Sequence, residues 1–215
     1  MALQLSTLRP NSLQTNNMIK SICVYCGSNF GERASYLNAA QDLGVEMAKR
    51  GITLVYGGGN AGLMGTIADS VLAMGGKVIG VIPQALVDKE VAHAGLSDLR
   101  VVGSMHERKL LMTDLADAFI GLPGGLGTLE EFCEVTTWTQ LGFHHKACGL
   151  LNISGFYDGL LSFLNHATAE KFIRPEHRSI ILTGEDPVEL IEKLSQFAVP
   201  TQKYCFNRES SSRVN

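Results

Sequence analysis

An α/β fold with a doubly wound, mainly parallel sheet of about seven strands and helices on both faces is what the sequence predicts. Three observations predict it. Short β-branched apolar runs alternate with segments of helical period along most of the chain. Nearly all of these runs lack polar alternation, as strands buried on both faces do. Three of them run straight into unusual turns, two of them glycine-rich, at the carboxyl strand ends where such sheets hold their ligands.

Taken in order, the first run is Ser21 to Tyr25, SICVY, and a helical pattern follows from Ala34 to Lys49. Ile52 to Tyr56 is the second strand, with a helix over Leu63 to Met74, and Lys77 to Ile82 is the third. Leu99 to Val102 is the fourth strand. The helix after it, His106 to Ala116, has Ser104 and Glu107 at the spacing of a capping box. Ala118 to Leu122 leads to a helix over Leu129 to Leu141, where Thr128 and Glu131 again have capping-box spacing. Cys148 to Ile153, a helix over Tyr157 to Lys171, Ser179 to Leu182 and a helix over Pro187 to Phe197 complete the alternation. Residues 1–19 are rich in Ser, Asn, Gln and Thr without a sustained period and read as a flexible leader. Residues 200–215 read as a flexible tail, which leaves one domain over 20–199 with no internal repeat or linker.

Composition narrows the function classes. The 215 residues are 45% hydrophobic and 18% charged with 23 glycines, enough for a full core and against bulk disorder. Eighteen basic and 21 acidic side chains give a net charge of −3, so no global positive field draws nucleic acid or anionic lipid. Any phosphate site must be local. No apolar run is long enough for a membrane span and no secretory signal stands at the start, which together imply a cytoplasmic protein. Cys23, Cys26, Cys133, Cys148 and Cys205 are odd in number and scattered through apolar stretches, as suits buried thiols in a reducing compartment.

Chemistry gathers at three strand ends. Tyr25 leads into Cys26-Gly27-Ser28-Asn29, Tyr56 into Gly57-Gly58-Gly59-Asn60-Ala61-Gly62, and Leu122 into Pro123-Gly124-Gly125-Leu126-Gly127-Thr128. Glycines let backbone N–H groups approach a ligand and the next helix adds its positive end, so each turn is a candidate phosphate cradle. Residues 57–62 fit G-x-G-x-x-G, but Ile82-Pro83-Gln84 stands where a dinucleotide site needs an acidic residue. A Walker A signature is absent as well, since Gly76-Lys77 is followed by Val78. Cys23 and Cys26 form a C-x-x-C, but Cys23 lies inside a strand rather than at a helix start, which favours structural thiols over redox chemistry. His144, His145 and Cys148 sit between a polar turn and an apolar run, and no metal site is assigned.

Arg108 and Lys109 occupy the first turns of a helix, where positive charge opposes the helix dipole. A sequence that accepts this cost places cations beside an anionic ligand. Glu130 and Glu131 follow the Pro123 to Thr128 cradle within one helical turn. A carboxylate there is repelled by a phosphate unless it faces another part of the ligand, such as a ribose hydroxyl or a reacting carbon. The combination points to sugar chemistry.

PGGLGTLEE at 123–131 and MHERK at 105–109 resemble the paired signatures of the Lonely Guy family, the cytokinin riboside 5′-monophosphate phosphoribohydrolases once misannotated as lysine decarboxylases. The resemblance runs from about Ser21 to Phe197 and takes in the CGS loop, YGGGNAGLMG, VIGVIP and TTWTQLG. It implies a Rossmann-like fold, a homodimer, no cofactor and a purine nucleoside 5′-monophosphate substrate, a cytokinin nucleotide or AMP. Arg108 and Glu131 are then catalytic. Lys109, Gly124, Gly125, Leu126, Gly127, Thr128, Leu129 and Glu130 bind the nucleotide with Glu90, Thr136, Gly58, Gly59 and Ser28. The segment around Glu90, VDKEVAHAGLSD, departs from the commoner form of that loop.

The implied reaction is hydrolysis of the N-glycosidic bond, giving free base and ribose 5-phosphate through an oxocarbenium-like transition state. Glu131 stabilises the charge growing at the anomeric carbon and activates water, Glu130 holds ribose hydroxyls, and Arg108 keeps Glu131 ionised. His106 is a candidate proton donor to the base by its ordinary pKa alone. The rival class is a non-catalytic nucleotide or cofactor carrier on the same fold, which needs neither Glu131 nor Arg108. A decarboxylase needs a lysine for a carbonyl cofactor, and no motif marks one.

Overall fold

The computed structural model describes residues 18–87 and 92–198. Most of the expected leader, all of the expected tail with Cys205, and Glu90 therefore lie outside the described residues. The elements are β1 (Ser21–Tyr25), α1 (Ala34–Lys49), β2 (Thr53–Tyr56), α2 (Gly62–Ala73), β3 (Val78–Pro83), α3 (Gln84–Val87), β4 (Asp98–Val102), α4 (Met105–Leu115), β5 (Ala118–Gly121), α5 (Leu126–Leu141), β6 (Ala147–Leu151), α6 (Asp158–Ala169), α7 (Pro175–Arg178), β7 (Ile181–Gly184) and α8 (Pro187–Ser195).

The strands form one seven-stranded sheet in the order β4-β3-β2-β1-β5-β6-β7, and every pairing is parallel. The fold is the doubly wound α/β architecture that the uninterrupted apolar strands imply. Successive β1 residues serve opposite faces. Ile22 and Val24 pack with Leu43 and Met47 of α1, Ile67 of α2 and Leu190 of α8. Cys23 and Tyr25 pack with Met112 of α4, Phe132 of α5 and Tyr157. The chain leaves β1 for β2 on one side and returns through β5 on the other, so the order reverses between β1 and β5. A crevice opens there beyond the carboxyl ends, where α/β sheets bind ligands.

Several expectations are corrected. Helix α5 starts at Leu126, not Leu129, with Gly125 as its N-cap and no side-chain cap, so the capping box proposed for Thr128 and Glu131 does not form. The Ser104 cap does form: its hydroxyl accepts the Glu107 N–H at 3.1 Å, and the Glu107 carboxylate accepts the Gly103 N–H at 2.8 Å. Strand β7 begins at Ile181, because the chain first makes the short helix α7, which the sequence reading did not separate. Strand β6 ends at Leu151, and Ile153 begins a 3₁₀ turn in which Ser154 takes φ of 52°. Helices α6 and α8 stop two residues short of their expected ends, at Ala169 and Ser195.

Candidate active site

The crevice holds a cavity of about 470 Å³ between the loop after β1 and the loop after β5. Backbone bonds lock these loops together: Gly27 N–H donates to Pro123 O at 3.0 Å, and Leu63 N–H at the start of α2 donates to Gly27 O at 3.1 Å. Gly62 has φ of 59°, and a Cβ on it would run into the Ser28 and Asn29 backbone, so only glycine lets α2 begin against this loop. The walls include Ser28, Gly124, Gly125, Leu126, Gly127 and Thr128, with the N-terminus of α5 turned toward the space.

Arg108 reaches the cavity from the first turn of α4 and is only 8% exposed. Its Nη2 donates to Gly57 O at 3.3 Å. Any side chain on Gly57 would collide with this guanidinium, so the glycine makes room for the cation. Among the described residues, Arg108 Nε is buried without a hydrogen-bond partner. Across from it, Glu131 lines the cavity from the second turn of α5, with Oε1 3.9 Å from Arg108 Nη1. That separation exceeds the usual 2.7–2.9 Å of a charge-assisted hydrogen bond, so the two groups face each other without closing. Burial pushes the Glu131 carboxyl above its usual range, and the Arg108 charge offsets only part of this. The Arg108 charge favours the ionised carboxylate, in the expected sense, while burial acts against it and is the larger influence.

The remaining expected site residues divide. Lys109 turns away from the cavity, and its Nζ donates to Glu130 at 2.6 Å and to Glu134 at 3.1 Å. Glu130 is half exposed in that pair and is not among the lining residues. Leu129 packs into the core between α4, α5 and the sheet. Thr136 is buried one turn past Phe132 and donates its hydroxyl to Phe132 O at 2.8 Å. Gly58 packs against β3, its carbonyl accepting the His93 N–H at 3.2 Å, and Gly59 pairs with Ala92. His106 is exposed and does not line the cavity. His144 lies tilted against Phe119 and edge-on to Trp138, where burial lowers its pKa to about 4. Cys23 and Cys26 are buried free thiols that burial pushes far above the usual range.

Sequence reasoning missed the apolar side of the cavity: Phe30, Tyr36, Met64 and Phe156. The Tyr36 and Phe156 rings meet edge to face with centroids 5.6 Å apart, held by a Ser35–Ser154 hydroxyl contact of 3.0 Å. Met64 lies in the YGGGNAGLMG segment, but Phe30, Tyr36 and Phe156 come from distant stretches of the chain that no local motif marks.

Comparisons with known proteins place the chain among relatives. The family described as "Possible lysine decarboxylase" matches residues 64–194. The cytokinin riboside 5′-monophosphate phosphoribohydrolase LOG of Oryza sativa subsp. japonica is 50% identical over 184 residues, 86% of this chain and 76% of that one. The enzyme of the same activity named LOG1 in Arabidopsis thaliana is 46% identical over 198 residues, 92% of each chain. Among solved structures, the molybdenum cofactor binding protein of Rippkaea orientalis superposes with a TM-score of 0.61 at 23% identity, over 80% of this chain and 95% of that one. The Moco carrier protein of Chlamydomonas reinhardtii gives 0.61 at 19% identity, over 82% and 95%. At those identities the structural likeness establishes the fold.

Proposed function

The chain belongs to the Lonely Guy family of cytokinin riboside 5′-monophosphate phosphoribohydrolases, and from that premise we infer that it hydrolyses the N-glycosidic bond of these nucleotides, releasing the free cytokinin base and ribose 5-phosphate. The observation that carries the residue assignment is the facing of Arg108 and Glu131 across a cavity bounded by a glycine loop and a helix N-terminus. The 5′-phosphate takes the backbone N–H groups from Gly124 to Thr128 and the positive end of α5, helped by the Ser28 loop. Held there, the nucleotide presents its sugar toward Glu131.

As the C1′–N bond lengthens, positive charge grows on the sugar, and a carboxylate beside it is worth more in the transition state than in the ground state. Water then adds to C1′ and the base departs with one proton. Glu131, its pKa raised by burial, is suited to take the proton from that water. Arg108 anchors the other side of the ligand and limits how far the carboxyl pKa rises. Despite the family description that names a lysine decarboxylase, no lysine among the described residues lines the cavity, and Lys109 is committed to two carboxylates.

AMP is a second substrate on this reading, since the glycine loops bind what the two nucleotides share. A homodimer is part of the proposal as well: Leu110 on α4 with Leu126 and Leu141 on α5 and Phe143 just beyond it leave large apolar side chains exposed. No helix among the described residues is long and apolar enough to cross a membrane, and the free thiols suit the cytoplasm. Incubation with isopentenyladenosine monophosphate, AMP and adenosine tests the reading. Free base and ribose 5-phosphate are expected from both nucleotides, with adenosine at least about 100-fold less efficient because its phosphate is missing. Release of inorganic phosphate and a nucleoside would make the enzyme a phosphatase.

A further inference from the structure

Arg108 and Lys109 are neighbours on α4, and Glu130 and Glu131 are neighbours on α5. Successive side chains on a helix diverge by about 100°, so each pair splits between an inner and an outer side. The inner contact, Arg108 to Glu131, is the long one at 3.9 Å and borders the cavity. The outer contact is short: Lys109 Nζ donates to Glu130 Oε1 at 2.6 Å and to Glu134 Oε1 at 3.1 Å. Both helices pack mainly on the sheet rather than on each other. The outer ion cluster is therefore a principal direct tie between the helices that carry the reacting pair.

Glu134 has no assigned part in this site. It does not line the cavity, and Lys109 is the side chain it pairs with among the described residues. Glu130 and Glu134 stand one turn apart, where like charges weaken a helix unless a cation relieves them. Glu134 is also the better shielded anchor, with 26% of its side chain exposed against 56% for Glu130, so water screens its bond to Lys109 less. An arrangement that served only surface solubility would not bury Lys109 to 12% exposure between two carboxylates.

We propose that Glu134 is a positioning residue: acting through Lys109, it fixes α4 against α5 at the spacing that leaves Arg108 and Glu131 facing each other, each open to the ligand. Released from this tie, Arg108 and Glu131 either close into a direct ion pair that neutralises both or drift out of register with the sugar. The inference rests on the activity argued above. It also touches the Glu131 carboxyl electrostatically. Glu131 faces Arg108 and Lys109 from α4, Glu130 and Glu134 from its own helix, and the buried Tyr25, Cys23 and Cys26 at the end of β1, which burial keeps protonated. The Glu134 charge raises the Glu131 pKa and the Lys109 charge lowers it. Removing the Glu134 charge strips away one repulsion and leaves Lys109 less neutralised, and both changes move the Glu131 titration to lower pH.

The test compares wild type, Glu134→Gln and Glu134→Ala in two measurements. One is the pH titration of the Glu131 carboxyl carbon by NMR in the free protein, assigned with Glu131→Gln. The other is base release from isopentenyladenosine monophosphate, with kcat and KM separated. Glu134→Ala should lower kcat at least about tenfold with a smaller change in KM, as loss of reacting geometry does. Glu134→Gln, which still accepts a bond from Lys109, should recover part of that loss, and in both variants Glu131 should titrate at lower pH than in wild type. Lower thermal stability with kcat and the Glu131 titration unchanged would make Glu134 a structural ion pair and overturn the inference. Should wild type release no base, the activity reading falls, and the Glu131 titration alone decides: an unmoved titration in Glu134→Gln overturns the positioning role. The isosteric Gln variant keeps the decision available if the Ala variant does not fold.

Discussion

Arg108 stands in the cavity because Gly57 has no side chain, and this dependence is open to test. Gly57→Ala places a methyl against the guanidinium and should drive Arg108 from its place, with base release falling at least about 100-fold, on the scale of a 1 Å misplacement. Arg108→Ala should fall in the same direction, and a Gly57→Ala enzyme with wild-type kinetics would show that Arg108 is not needed where it stands. Glu131 has a separate signature in stability. Its folded-state pKa lies above its ordinary 4.5, so the native state binds more protons than the unfolded one between 4.5 and the raised value. Stability therefore falls as pH rises through that window. Glu131→Gln lacks this loss, so its stability relative to wild type should improve from about pH 4 to pH 7 in denaturant titrations; a difference constant with pH would mean Glu131 titrates normally. At this scale the glycine cradle and the charged neighbours Arg108-Lys109 and Glu130-Glu131 were legible in the sequence, because a cation at a helix start and carboxylates beside a phosphate loop each oppose ordinary electrostatics; the choice of Arg108 and Glu131 among them came from the family resemblance. That Lys109 turns outward was not legible. Its direction depends on how α4 is rotated about its axis, and burial of Met112 among the sheet residues fixes that rotation.

Helix α4 depends on its cap and α5 on its packing. Ser104→Ala removes the hydroxyl that satisfies the Glu107 N–H and should cost about 0.5–2 kcal/mol, read as a lower denaturation midpoint at unchanged slope. No loss would mean that the Glu107 bond to Gly103 suffices alone. Helix α5 has no side-chain cap, so its first N–H groups are left for a ligand, which suits a phosphate site. The sheet was legible because strands buried on both faces leave unbroken apolar runs. The start of α5 was not: Gly125-Leu126-Gly127 reads as loop, since each glycine weighs about 1 kcal/mol against a helix. The helix nonetheless begins there, with Gly125 as its N-cap accepting the Leu129 N–H at 3.1 Å. Helices α3 and α7, of four residues each, are too short to show a period.

For the molecule as a whole, the sheet order places the turn after β1 beside the glycine-rich loop after β5 at the point where strand order reverses, so two segments about 100 residues apart build one cavity. Both were visible in sequence as separate motifs, while their apolar wall of Tyr36 and Phe156 exists only after folding. The exposed apolar residues of α4, α5 and the turn after α5 lead to an expected dimer, and light scattering at micromolar concentration should give twice 23.2 kDa, whereas the single mass would exclude a dimer under those conditions. The central claim, that this cavity breaks a glycosidic bond with Glu131 at the reacting carbon, is tested most directly by base release from isopentenyladenosine monophosphate in Glu131→Gln. Wild type should yield free base and ribose 5-phosphate, and the folded variant should lose at least about 100-fold in kcat, the lower range for removing one group that stabilises transition-state charge. A folded Glu131→Gln enzyme that releases base at the wild-type rate would contradict it.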